Sequence, residues 1–171
     1  VAKSLQAAQD AMKAGQIENA LTLSQQTLAM PGITAVEKPI IQRTLAVAAL
    51  QAKNFKLAAS TLENLIQEMP AETPAAQKRP LIESLLNASQ QAQDFAKVVT
   101  WARTYLKLEG SNPSVRPVLI QTLSVMKRHE EVVQEVKEKM RLDDAAKLKT
   151  PESELRMMAV SQRQLKDDGG Y

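Results

Sequence analysis

Two stretches, QAKNFKLAAS (51–60) and QAQDFAKVVT (91–100), decide how this chain is read. Each runs Gln-Ala, two polar residues, Phe, and a small or apolar residue three positions after the ring. Phe55 and Phe95 stand 40 residues apart. A turn and helix start written twice at such a distance is the mark of an internal repeat, and repeats govern the whole fold wherever they occur. Weaker versions appear at KAGQIENAL (13–21), MKRHEEVV (126–133) and KDDGGY (166–171).

Aligned on the residue that opens the following segment, the copies read Ile17, Phe55, Phe95, His129 and Tyr171. Three residues later come Ala20, Ala58, Val98 and Val132, and seven later Ser24, Leu62, Ala102 and Val136. Before each opener lies an apolar pair at i, i+4 spacing: Ala7/Ala11, Leu45/Ala49, Leu85/Ser89 and Leu119/Leu123. That spacing puts both members on one helical face. The openers are separated by 38, 40, 34 and 42 residues. A two-helix unit of about 34 residues with linkers of variable length accounts for the series.

The surplus falls in MPGITAVEKP (30–39), MPAETPAAQKRP (69–80) and RLDDAAKLKTPE (141–152). Pro80 and Pro151 are expected in first helical turns, where proline is tolerated, with Thr150 capping the latter helix. The pattern predicts nine helices, over 2–14, 17–29, 36–52, 55–68, 79–92, 95–108, 114–127, 130–141 and 151–166. No period-2 run of useful length exists, so no strand is expected. The chain, 1–171, reads as one all-α domain: a right-handed superhelical array of antiparallel helix pairs. Its units fall at 1–31, 36–70, 79–110 and 113–142, with an unpaired helix over 151–166. Tyr171 stands where another second helix would open. The expectation is therefore that the natural chain continues, or that a partner covers Leu155, Met158 and Leu165.

Composition agrees. Hydrophobic residues make up 44% of the chain and aromatics only 3%, which favours closely packed helices built on Ala, Leu, Val, Ile and Met. A net charge of +3, without a dense basic run interleaved with aromatics, argues against nucleic acid as a partner. There is no cysteine, hence no disulfide, zinc-thiolate site or thiol nucleophile. No apolar run approaches the roughly 18 residues of a membrane span.

These residues resemble the tetratricopeptide repeat, with its small residue between paired helices, its aromatic opening helix B and its closing Pro. GQIENALTLSQQTLAMP (15–31) and NFKLAASTLENLIQEMP (54–70) match well, and DFAKVVTWARTYLKLEG (94–110) carries Gly110 in place of the Pro. In the fourth copy His129 replaces the aromatic and Lys139 a small residue. The segments KSLQAAQDAMKAGQIENAL, QDFAKVVTWARTYLKLEGSNPSVRPVLIQ and SQRQLKDDGGY further resemble exported proteobacterial tetratricopeptide proteins of the cell envelope, some of which accompany TonB/ExbB-type systems. The resemblance implies a periplasmic, non-catalytic interaction protein.

Chemistry-bearing residues are sparse. His129, the single histidine, has no second ligand at helical spacing, and a surface or helix-cap role fits it better than metal binding. Asp143/Asp144 and Asp167/Asp168 read as turn residues rather than as a converging carboxylate pair. Trp101 and Tyr105, four apart, share a helix face and are expected to pack. No phosphate loop, nucleophile elbow or zinc-binding spacing occurs, so neither catalysis nor a cofactor is expected.

What remains is the face that the first helix of each pair turns away from its partner. Helical spacing puts Gln9, Met12 and Lys13 there, then Arg43, Val47 and Leu50. Glu83, Asn87, Gln90 and Gln91 follow, then Gln121, Ser124 and Val125, and finally Arg163 and Lys166. Gln9, Arg43, Val47, Asn87, Gln90, Gln121 and Arg163 are the candidate partner-binding residues. Their amides and guanidinium groups suit a peptide backbone, which needs both donors and acceptors. The plain alternative for these positions is a solvated polar face. The leading expectation is a periplasmic scaffold that binds a protein or peptide on its concave face. Its rivals are self-association through the C-terminal helix and a cytoplasmic chaperone-like or regulatory role.

Overall fold

The computed structural model describes residues 1–169. They form nine α-helices and no strand, and group into two compact units, one spanning Val1–Asp94 and one beginning at Phe95. The first holds α1 (Ala2–Lys13), α2 (Ile17–Leu28), α3 (Glu37–Gln51), α4 (Phe55–Gln67) and α5 (Ala75–Gln91). Each packs on the next, and α1 also touches α3. The second holds α6 (Phe95–Leu106), α7 (Val115–Val125), α8 (His129–Ala145) and α9 (Glu152–Asp168). Here too consecutive helices pack together, and α7 touches α9.

Burial follows the alignment of the openers. Ala20, Ala58, Val98 and Val132, three residues on, are each 0% exposed, and Ser24, Leu62, Ala102 and Val136, seven on, do not exceed 4%. Small side chains let helix axes approach, and each such contact removes apolar surface from water at about 25 cal/mol per Å². The i, i+4 pairs before the openers are buried as well, except Ala7, which is exposed. The openers Ile17, Phe55, Phe95 and His129 are half-buried rather than fully enclosed.

One turn geometry closes α1, α3, α5 and α7. A residue with positive φ ends each helix: Gly15 (+73°), Lys53 (+56°), Gln93 (+56°) and Lys127 (+56°). The next residue then donates its N–H five positions back, Gln16 to Ala11 O (2.9 Å), Asn54 to Ala49 O (2.8 Å), Asp94 to Ser89 O (2.9 Å) and Arg128 to Leu123 O (3.0 Å). This is a Schellman closure, which satisfies the orphan carbonyls of the last turn. It recurs after α8, with Lys147 at +57° and Leu148 N–H donating to Asp143 O (2.8 Å). Asn54 adds an N-cap, its Oδ1 accepting from Leu57 N–H (3.3 Å).

Three helix boundaries differ from expectation. α5 begins at Ala75, so Pro80 lies inside the helix rather than in its first turn. Proline there removes the bond to the Ala76 carbonyl, and both residues are exposed, so water can take its place. α8 continues to Ala145 and includes Asp143 and Asp144, and α9 includes Asp167 and Asp168, so none of these acids lies in a turn. Thr150 does not cap α9. Its Oγ1 donates to Asp143 Oδ2 (2.8 Å), and Pro151 itself occupies the N-cap position. The start of α3 is set by a capping box. Thr34 Oγ1 accepts from Glu37 N–H (3.1 Å) while Glu37 Oε2 accepts from Thr34 N–H (3.0 Å).

Candidate functional site

In the first unit, α1 and α3 lie side by side and leave an open groove of ≈ 310 Å³ between them. Gln9, Met12 and Lys13 line it from α1, and Arg43, Thr44 and Val47 from α3. Three of the expected residues, Gln9, Arg43 and Val47, thus share one site. Met12 also packs on the buried Ala11, Ala20 and Ala48, which ties the groove floor to the core. Val47 remains 42% exposed, an apolar side chain left in water. Thr44, at the base, donates to its own helix at Ile40 O (3.0 Å).

The electrostatics of the groove are one-sided. Lys13 and Arg43 are exposed, no acid lines it, and neither cation has a carboxylate partner among the described residues. Five other arginines sit in ion pairs: Arg103 with Glu131, Arg116 with Glu135, Arg128 with Glu131, Arg141 with Glu138 and Arg156 with Glu152.

Asn87 and Gln90, on α5 of the same unit, are exposed, as are Glu83 and Gln91. In the second unit Gln121 on α7 and Arg163 on α9 are exposed, on helices that touch. Neither pair lines the α1–α3 groove. Leu50 and Ser124, from the same predicted stripes, are half-buried.

The remaining singled-out residues pack. Trp101 and Tyr105 are buried in α6, and Tyr105 Oη accepts from Asn112 N–H (3.0 Å), which fastens the chain after that helix. His129 opens α8 with its Nδ1 3.2 Å from Oγ of the buried Ser161 on α9. Lys139 Nζ bonds Asp143 Oδ2 (2.7 Å). That bond and the one from Thr150 hold the Asp143 carboxyl below its ordinary range.

Two polar arrangements lie outside the predicted stripes. In the second unit Glu131 receives Arg103 (2.6 Å) and Arg128 (2.5 Å), while Glu135 receives Arg116 (2.5 Å) and lies 3.8 Å from Arg103. This network crosses α6, α7 and α8. Burial alone raises the Glu131 pKa, but the bonds from Arg103 and Arg128 prevail and lower it. In the first unit, a cavity of ≈ 440 Å³ lies among Pro39, Gln42, Leu65, Glu68 and Met69. Gln42 Nε2 donates to Glu68 Oε2 (3.2 Å) and Lys38 Nζ to Glu68 Oε1 (2.8 Å), the latter bond lowering the Glu68 pKa first. Gln42 Oε1 is buried without a partner among the described residues. Apart from Arg128–Glu131, three residues apart, these bonds join residues at least 19 apart in sequence, which helical spacing does not reveal.

Among the described residues no cluster of three or more His, Cys, Asp or Glu side chains is placed to hold a metal ion, and no helix is long and apolar enough to cross a membrane. Compared with known families and curated proteins, the chain matches no family model and no curated protein.

Proposed function

We propose that this chain is a tetratricopeptide-like array of about four helix pairs and a lone terminal helix, which binds a protein or peptide along the face of its first helices. The observation that carries the reading is the α1–α3 groove, where exposed Arg43 and Val47 and half-buried Gln9 gather over a core-anchored floor. A non-catalytic scaffold in the bacterial periplasm is the setting that the sequence resemblance supports. Asn87 on α5 and Gln121 on α7 are exposed amides, and each offers both donors and an acceptor to a partner backbone.

The test starts by recovering a partner with the wild-type chain from envelope extract. Its affinity is then measured for the Asn87→Ala, Gln121→Ala double variant. Both side chains are exposed, so folding should change by about 0.5 kcal/mol per site at most. Loss of interfacial hydrogen bonds should cost about 1–3 kcal/mol, roughly 5- to 150-fold in affinity. Undiminished binding with unchanged melting would move the site elsewhere. An upstream signal peptide in the full reading frame would support export, and its absence would favour a cytoplasmic role.

A second reading, self-association through the C-terminal helix, rests on Val160 of α9, which is 65% exposed, and on Leu148 just before that helix, 63% exposed. The face formed by Leu155, Met158 and Leu165 is half-buried. Sedimentation across a concentration series separates this reading from the first.

A further inference from the structure

We propose that the α1–α3 groove takes an acidic peptide segment, which seats one apolar side chain on Met12 and Val47 and sets flanking carboxylates toward Lys13 and Arg43. The inference rests on the binding role proposed above and names the chemistry of the partner at that site. Three observations carry it. The groove, at ≈ 310 Å³ and open, is at the lower limit of ligand pockets, too small for most cofactors and adequate for one side chain. Its floor is apolar and partly wet, so covering Val47 returns water to bulk. Its rim carries two cations without a carboxylate, in a chain that neutralises five other arginines internally.

An arginine left unpaired beside an apolar floor is suited to a partner carboxylate, which it can engage through two parallel hydrogen bonds. Thr44 is already committed to its own helix, and Gln9 is the neutral polar group positioned to meet a peptide backbone. Nucleic acid fits less well, because the groove presents two cations and no aromatic side chain on which a base could stack.

The experiment titrates the full chain against labelled short peptides with a central Phe flanked by Glu, by Gln or by Lys, and a Glu-flanked peptide with central Ala. The Phe peptide flanked by Glu is expected to bind about tenfold tighter than the Gln-flanked one, with an affinity that weakens as salt rises. Lys13→Gln with Arg43→Gln should abolish the preference for Glu over Gln. Val47→Ser should abolish the preference for Phe over Ala, and Lys56→Gln, an exposed cation on α4, should change neither. Equal binding of all four peptides, no binding of any, or an acid preference that survives the double variant would overturn the inference. So would tighter binding of single-stranded DNA than of the Phe–Glu peptide. The general binding role fails separately. A captured partner that is lost on Asn87→Ala, Gln121→Ala but indifferent to Lys13→Gln, Arg43→Gln would leave that role standing and remove only the acidic-peptide assignment.

Discussion

The left-handed residues that close the helix pairs offer a direct measurement of what the turn costs. Lys53, Gln93, Lys127 and Lys147 adopt φ of 56–57°, where an L side chain crowds the following carbonyl, at about 1–2 kcal/mol per residue. All four are exposed, and none makes a hydrogen bond or ion pair through its side chain, so replacement by glycine loses no contact. Glycine relieves the strain but gains freedom in the unfolded chain, which returns about 0.4–1 kcal/mol of the benefit. The net expectation is a gain of about 0.5–1 kcal/mol for each of Lys53→Gly, Gln93→Gly and Lys127→Gly, or roughly 1–4 °C in Tm for a chain of this length. Gly15 supplies the reciprocal. A Cβ built there meets nothing within 4 Å, so Gly15→Ala adds backbone strain and no clash, and should lose about 1 kcal/mol. Urea titrations at constant m-value read both signs. The turns lie in separate parts of the chain, so the combined triple glycine variant should be close to the sum of the singles. If Lys53→Gly and Gln93→Gly lower the midpoint, as glycine does at ordinary exposed sites, the left-handed closure is not the solution geometry.

Three further outcomes are expected. Phe55→Ala should cost about 2–3 kcal/mol, below the 3–5 of a fully buried ring because Phe55 is half-buried; a loss under about 1 kcal/mol in denaturant would show the ring unpacked. Ala58→Leu should destabilise by about 1–3 kcal/mol, since a residue 0% exposed between packed helices has no room for a branched side chain; a neutral melt would contradict the close helix approach. The Glu131 carboxyl is lowered in the folded state from the ordinary 4.5, so its stabilisation is present above that pH and is lost as pH falls through the lower folded value. Glu131→Gln should therefore flatten the acid limb of the stability profile, and an unchanged limb would mean that Arg103 and Arg128 do not hold the carboxylate in solution.

Helix existence was legible because the apolar positions recur with helical period, and burial of Ala20, Ala58, Val98 and Val132 follows that register. Boundaries were less so where a local rule met a competing one. Pro80 signals a first turn, yet five good helix formers, 75–79, precede it, and exposure lets water satisfy the freed carbonyl. Asp143 signals a turn, yet Lys139 four residues earlier keeps it helical. Thr34 and Glu37, spaced as a capping box, carry the true start of α3 in plain sight. Positive φ at Lys53, Gln93 and Lys127 was not legible, since lysine and glutamine give no left-handed signal; only Gly15 does. For the candidate site, spacing placed Gln9, Arg43 and Val47 on facing stripes, but the absence of any carboxylate beside Arg43 emerges only in three dimensions.

The packing of each helix on its chain neighbour within a unit has a consequence for how the protein is made. Every such contact closes a short loop, and chains rich in local contacts fold in microseconds to milliseconds. Synthesis proceeds at about 5–20 residues per second, so a helix emerging behind its neighbour waits far longer for the ribosome than for its packing surface. Ala20 and Ala58 can meet their partners before the next linker is translated. The nascent chain therefore carries at most about one uncovered apolar face at a time, and the segment most exposed to aggregation is whichever helix was made last.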